Sequence, residues 1–282
     1  MKLWPALALE RADDLVLAAI DDFCPTASEE LDAGVRVFFA SHEQRDRAHG
    51  ALRERGVAAA AIEVSDEDWA VRSQQDLRPI TVGGITIIPS RAEPPDGGSL
   101  RRAGGESNSN SPITIVIEPS MGFGTGHHAT TRLCLAALQR TTVAGTRVLD
   151  VGTGSGILAI AAARLGAAQA AGIDCDADAI QSANENLARN PWCGTVRFGL
   201  AEIAPGLPRA DIVLANLTGA LLIRVAPTLL GALSPGGTLI VSGILAVEED
   251  QVLRAFSTVD AVWREQEDEW VGLMFQVPHG TV

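Results

Sequence analysis

Hydrophobic and polar positions along the first 64 residues divide into six stretches. Leu3 to Leu9 is an apolar run of strand length. From Arg11 to Phe23, apolar residues recur at Leu15, Val16, Ala19, Ile20 and Phe23, a spacing that predicts a helix. Thr26 to Leu31 and Val35 to Ala40 flank Asp32-Ala33-Gly34, which reads as a hairpin turn. His42 to Arg55 reads as a second helix, stopped by Gly56, and Val57 to Val64 as a closing strand. The order βαββαβ predicts a small α+β ferredoxin-like domain over residues 1–64.

The pattern then loosens. Residues 65–112 read as a connector. It holds Asp66-Glu67-Asp68-Trp69-Ala70, a short β-hairpin around Gly83-Gly84, and Ile87-Ile88-Pro89-Ser90. Residues 94–112 are rich in Pro, Gly, Ser and Asn, a composition expected to form a mobile loop.

From residue 113 to the end, continuous apolar runs alternate with helix-forming stretches. Ile113 to Ile117, Val148 to Val151, Ala170 to Asp174, Asp211 to Asn216 and Thr238 to Ser242 read as strands covered on both faces. Ala177 to Arg189, Leu221 to Leu233 and a stretch near Val247 to Phe256 read as helices. Strands near Ala261 to Glu265 and Leu273 to Val277 close the chain. Such alternation predicts an α/β domain over residues 113–282, built on a mostly parallel sheet.

Composition narrows the options. At 282 residues and 46% hydrophobic, the chain has room for two domains and a full α/β core. No apolar run approaches the ~18 residues of a membrane span, and Leu3 to Leu9 lacks a signal-peptide pattern. Cys24, Cys134, Cys175 and Cys193 show no paired spacing, so reduced thiols and a cytoplasmic setting are expected. The histidines form no helical His-x-x-x-His pair, and no metal site is expected. The net charge is −13, and both halves are acidic: 19 acids against 12 bases in residues 1–112, 16 against 10 thereafter. Direct nucleic-acid binding is not expected from such a surface, whereas a basic protein substrate suits it.

The candidate chemistry begins at Val148-Leu149-Asp150-Val151-Gly152-Thr153-Gly154-Ser155-Gly156-Ile157. This is a buried strand, a glycine turn and the opening of an Ala-rich helix, whose first N–H groups can serve polar ligand atoms. The dinucleotide fingerprint Gly-x-Gly-x-x-Gly is not met, because Ile157 stands where its third glycine would fall. The Gly-x-Gly-x-Gly spacing behind Asp150 resembles instead the first motif of class I S-adenosyl-L-methionine (SAM)-dependent methyltransferases. That resemblance implies a Rossmann-like domain with a seven-stranded, mostly parallel sheet, one strand antiparallel to the rest. About twenty residues past the turn, Asp174 ends the next strand, where a carboxylate can hold both hydroxyls of a ribose. Asp176 is the better cap for the helix that follows.

Further signals come from Glu118-Pro119-Ser120-Met121-Gly122-Phe123-Gly124-Thr125-Gly126-His127-His128-Ala129-Thr130-Thr131. Thr130 and Thr131 can cap a helix from Arg132 onward, or Thr131 can bind the amino-acid end of a cofactor. This run resembles the signature of the bacterial PrmA family, the methyltransferases of the eleventh large-subunit ribosomal protein. Val151 to Ala162, Ala215-Asn216-Leu217 and Val241-Ser242-Gly243-Ile244-Leu245 resemble the family in the same order. The resemblance implies SAM as cofactor, held by Thr131, Gly152, Asp174 and Asn216, with Gly154 in the same turn, and a large-subunit ribosomal protein as substrate recognised by residues 1–64. It departs at Glu118, Ser120, His127, Ala129 and Thr153, where Asp, Gly, Thr, Pro and Cys are usual.

Asn216 follows an apolar strand directly. It can cap the next helix, or its Oδ1, with the Leu217 carbonyl, can accept the hydrogens of a substrate amine and aim its lone pair. The Asn-Pro-Pro-aromatic motif of base methyltransferases is absent here, which argues against nucleic-acid bases as substrate. Glu118 and His128 are the candidates for a general base, and Trp263 and Trp270 are expected in the core or on a sheet face. The expected activity is protein N-methylation of lysine side chains and/or an α-amine, by a monomer, with Asn216 as the catalytic residue. The alternatives are a lysine methyltransferase for a different protein and a non-catalytic SAM-binding module.

Overall fold

The structure, a computed structural model, describes residues 3–10, 16, 19–20, 23, 25–31, 34–65, 78–90, 113–118, 128–191, 193 and 195–277. The expected turn at Asp32-Ala33, most of the helix at 11–23, residues 66–77, the low-complexity stretch 94–112 and the glycine-rich run 119–127 lie outside them.

The N-terminal part forms a four-stranded antiparallel sheet from β1 (Leu3–Leu9), β2 (Pro25–Leu31), β3 (Gly34–Phe39) and β4 (Ala60–Ser65), in the order β2-β3-β1-β4. Helix α1 (His42–Glu54) joins β3 to β4 and packs against this sheet. Ser41 caps α1 by accepting from Gln44 N–H, and Gly56 leaves it with φ 74°. Leu7, Leu9, Val37, Phe39, Ala48 and Leu52 bury one face of the sheet, together with Ala19 and Ile20 of a helical stretch. This is the ferredoxin-like arrangement: β1 lies between β3 and β4, antiparallel to both.

Strands β5 (Ile80–Val82) and β6 (Ile85–Pro89) form the expected hairpin, and β6 pairs in parallel with β7 (Ile113–Ile117). The hairpin therefore shares a sheet with the first strand of the C-terminal part. Ile85, Ile87, Ile115 and Ile117 join that part's core.

The large sheet contains β8 (Arg147–Val151), β9 (Gln169–Asp174), β10 (Val196–Leu200), β11 (Ala210–Asn216), β12 (Leu233–Leu245), β13 (Asp260–Glu267) and β14 (Trp270–Gln276). Their order is β10-β9-β8-β11-β12-β14-β13, with β14 alone running against the other six. Helices α2 (Ala129–Leu138) and α3 (Ile157–Arg164) cover one face, α5 (Gly219–Gly231) and α6 (Glu249–Ala255) the other. Helix α4 (Ala177–Arg189) follows β9. Alternation along each strand feeds both cores: Val148, Ile212, Leu214 and Ile240 face α2 and α3, while Leu149, Val213, Ala215 and Val241 face α5 and α6. This is the Rossmann-like class I architecture expected from the sequence. Strand β12 runs further than Thr238 to Ser242, and absorbs Pro235-Gly236-Gly237 at its start.

Candidate functional site

The alternation that builds the two cores also gathers the site. Asp150 lies opposite Gly172 and Leu214 in the sheet. Counting by twos, Asp150 on β8, Asp174 on β9 and Asn216 on β11 all stand on the face that carries α2 and α3. Two of them, Asp174 and Asn216, end their strands, so both stand at the carboxyl edge of the parallel sheet, on either side of β8.

The glycine turn begins where β8 ends. Gly152 N–H and Thr153 N–H both donate to Ile173 O at 2.9 Å, which ties the turn to β9. Gly156 caps α3 from the left-handed region, φ 81°, and a side chain there would sit 2.6 Å from Phe198 Cζ. Gly154 N–H donates to Asp174 Oδ2 at 2.9 Å, and Asp176 N–H to Asp174 Oδ1 at 3.0 Å. Burial raises the Asp174 pKa, and hydrogen bonds from the Gly154, Asp176 and Cys175 N–H groups oppose the rise. Each carboxylate oxygen keeps lone-pair capacity for a further donor. Asp176 caps α4 by accepting from Asp178 N–H at 2.9 Å, so Asp174 is not needed as a cap.

Two alternative structural roles are removed. Helix α2 starts at Ala129 and its cap is His128, not Thr130 or Thr131, because the His128 ring nitrogen precedes the first turn and accepts from Thr130 N–H. Thr131 is instead 1% exposed, and its hydroxyl accepts from Asn216 Nδ2 at 3.4 Å. Helix α5 is capped at Thr218, so Asn216 is not its cap. With Nδ2 turned to Thr131, Asn216 Oδ1 remains an acceptor, and the Thr131 hydroxyl keeps its hydrogen to donate elsewhere.

Glycines shape the segment after Asn216. A side chain at Gly243, φ 85°, would overlap the Leu217 carbonyl oxygen and lie 3.3 Å from Asn216 Oδ1. The Leu217 side chain packs over Gly152, where a Cβ would meet Leu217 Cδ2 at 2.5 Å. Leu217 N–H donates to Ser242 O at 3.0 Å. The turn that presents Asn216 therefore rests on the glycine turn and on β12.

Asp150 lies 1% exposed beneath this edge. Thr153 Oγ1 donates to its Oδ2 at 2.6 Å, in space that a side chain at Gly172 would fill, while Oδ1 has no hydrogen-bond partner. Burial pushes the Asp150 carboxyl up to about 7, against the Thr153 and Ala159 hydrogen bonds, with nearby Asp174 adding to the rise. Burial first, and the Asp150 charge second, also push up the Cys134 thiol on α2.

Of the two candidate bases, Glu118 accepts from Ser90 Oγ and from Arg189 at 3.2 Å, which commits it to an ion pair. His128 is exposed and meets Trp270 edge-on, ring centroids 4.9 Å apart. Trp270 pairs with Leu245, so it opens β14 at the same carboxyl edge. The sequence places it only in the core or on a sheet face. Its position depends on the reversal of β14, which periodicity does not reveal. Trp263 is half-buried on β13, with the Arg140 guanidinium 5.8 Å from its ring centroid.

Comparison with known proteins adds to this geometry. The family described as "Ribosomal protein L11 methyltransferase (PrmA)" matches residues 25–278. The chain is similar to the ribosomal protein L11 methyltransferase of Geobacter metallireducens, 42% identical over 216 residues, covering 75% of this chain and 67% of that one. A protein of the same name from Burkholderia lata is 37% identical over 246 residues, covering 85% and 76%. The crystal structure of a ribosomal protein L11 methylase from Lactobacillus delbrueckii subsp. bulgaricus superposes with a TM-score of 0.60 at 26% identity, over 72% of this chain and 99% of that one.

Proposed function

The chain belongs to the PrmA family of ribosomal protein L11 methyltransferases, and from that premise we propose that it methylates lysine side chains and the α-amine of ribosomal protein L11. The cofactor is S-adenosyl-L-methionine. The reading rests most on one juxtaposition: a carboxylate suited to a ribose, Asp174, and a carboxamide suited to an amine, Asn216, on the same sheet face at the same edge.

The residues present fit this cofactor. Asp174 has spare acceptor capacity on both oxygens and would hold the two ribose hydroxyls. The Thr131 hydroxyl, accepting from Asn216, has its proton left for a carboxylate, as the methionine end requires. Gly152 and Gly154, with φ 72° and 52°, carry the turn through the left-handed region and present bare backbone there, which would let a ligand approach closely. Bound there, SAM supplies an electrophilic methyl on a cationic sulfur.

The chain's own task is to aim the amine. Asn216 Oδ1 and the Leu217 carbonyl accept amine hydrogens, so the lone pair points in a single direction. Entry into a site bordered by Leu217 and Trp270 removes water from the amine and lowers its pKa, which favours the neutral nucleophile. Glu118 is paired with Arg189, and this chemistry needs no fixed general base. Residues 1–64 are proposed as the substrate-recognition unit. Residues 113–282, with the hairpin at 80–90 hydrogen-bonded to them, are proposed as the catalytic unit.

The test is incubation with isotope-labelled SAM and purified L11, then mass spectrometry of the digested product. Label on L11 lysines and the N-terminal amine is expected, and Asn216→Ala should lower kcat roughly 100-fold, the scale of lost orientation. SAM binding without transfer to L11, or label on L11 at neither lysine nor the N-terminal amine, would overturn the reading.

A further inference from the structure

Helix α4 starts at the cofactor acid and ends against β7, and two fully buried asparagines near its end make unlike contacts. Asn190 pairs with β7 in the manner of a neighbouring strand, and among the described residues none of its hydrogen bonds reaches the glycine turn. Its Nδ2 donates to Val116 O at 2.8 Å, and its Oδ1 accepts from Val116 N–H at 3.0 Å. Asn190 Nδ2 also lies 2.7 Å from Asn186 O of its own helix. Asn186 bridges two segments. Its Oδ1 accepts from Glu118 N–H at 2.8 Å, just past β7, and its Nδ2 donates to Ser155 O at 2.9 Å. Ser155 lies in the glycine turn, between Gly154, whose N–H holds Asp174, and Gly156, the left-handed cap of α3.

We propose that Asn186 is a positioning residue of the cofactor site, its carboxamide pinning the Ser155 carbonyl and thereby the peptide geometry with which Gly154 engages Asp174. This rests on the reading of that turn as the SAM site. The physical reason is the shortness of the link. Ser155 is 1% exposed, so taking the Asn186 donor from its carbonyl costs the desolvation of a buried acceptor. Gly154 and Gly156 on either side are conformationally free residues, so a turn released at Ser155 relaxes away from its binding shape. Phe198 and Ala183 crowd Gly156 from one side, but they supply no hydrogen bond to fix the carbonyl direction.

The matched pair Asn186→Asp and Asn190→Asp tests this. Both sites are equally buried on the same helix, and both changes replace a carboxamide donor by an acid. SAM binding is measured by calorimetry, with melting temperature and amide hydrogen exchange of the unliganded proteins alongside. At pH 8 both variants should melt earlier than the wild type. Only N186D should bind SAM about tenfold or more weakly, the loss expected when one buried hydrogen bond fails, and only N186D should exchange the Gly154 amide faster. Near pH 5 a protonated acid at this position can again donate to Ser155 O, so the N186D deficit relative to wild type should close. The charged neighbours are the Glu118–Arg189 pair and the acids Asp174 and Asp150, and the wild-type profile over the same pH range accounts for their own titration. Equal weakening by the two variants, or an N186D deficit unchanged between pH 8 and pH 5, would overturn the proposal. Failure of the wild type itself to bind SAM overturns the site reading, and this inference with it.

Discussion

Asp150 shows how one residue of the glycine motif does two jobs at odds. Its position in β8 puts it on the face where Asp174 and Asn216 stand, under the ligand edge. The same position takes its carboxyl out of water, so folding favours the protonated form. The folded pKa, about 7, exceeds the ordinary 3.8. Between those values the folded protein keeps a proton that the unfolded chain has lost, so this group's contribution to stability falls as pH rises from about 4 to about 7 and is flat above. Asp150→Asn removes the dependence. In urea unfolding of the unliganded protein, the variant should gain on the wild type between pH 5 and pH 8, by up to about 3 kcal/mol. Parallel pH profiles for the two proteins would show that Asp150 is ionised throughout.

At the scale of elements, what matters is how strand ends are joined. Asn216 belongs to β11 by register, yet its usefulness depends on the turn that follows and on β12 beside it. Gly243 is where β12 yields: its φ of 85° and missing side chain leave room for the Leu217 carbonyl. Gly243→Ala forces both a left-handed alanine and a displaced Leu217 carbonyl. The expected cost is about 1–3 kcal/mol of stability, within the range for strain at a single backbone position. In the proposed mechanism that carbonyl and Asn216 Oδ1 accept the amine hydrogens, so kcat should fall further than SAM affinity does. Chemical denaturation and steady-state kinetics measure the two, and a variant as active as wild type would remove Leu217 from the mechanism.

At the scale of the whole molecule, the proposed reading divides the labour between the sheets. The ferredoxin-like sheet has a core of its own around Leu7 and Phe39 and a smaller buried cluster around Trp4 and Phe38 on its other face, and the seven-stranded sheet is buried on both faces. A chain of residues 65–282 should therefore bind SAM within about threefold of the full-length protein. It should also methylate L11 at least tenfold less efficiently, chiefly through KM, as loss of a docking unit removes uniform binding. Equal efficiency with and without residues 1–64 would assign substrate recognition to the catalytic unit. Among the described residues no helix is long and apolar enough to cross a membrane.

Hydrophobic periodicity alone determined the class of both folded parts, and Leu3–Leu9 and Ile113–Ile117 match the observed strands end for end. That is because burial on one face or two dictates a period of two or a continuous run before any partner is chosen. The glycine turn and Asp174 were legible for a related reason: positive φ and a strand-end acid are local requirements, written in adjacent residues. Tertiary structure decided the rest. His128 rather than a threonine caps α2, which leaves Thr131 to face Asn216, 85 residues away in sequence. Trp270 reaches the carboxyl edge only because β14 runs backwards, and Asn186 reaches Ser155 only because α4 packs beside β7. Such contacts join segments whose order along the chain carries no trace of their distance in space, so only the packed sheet could choose among them.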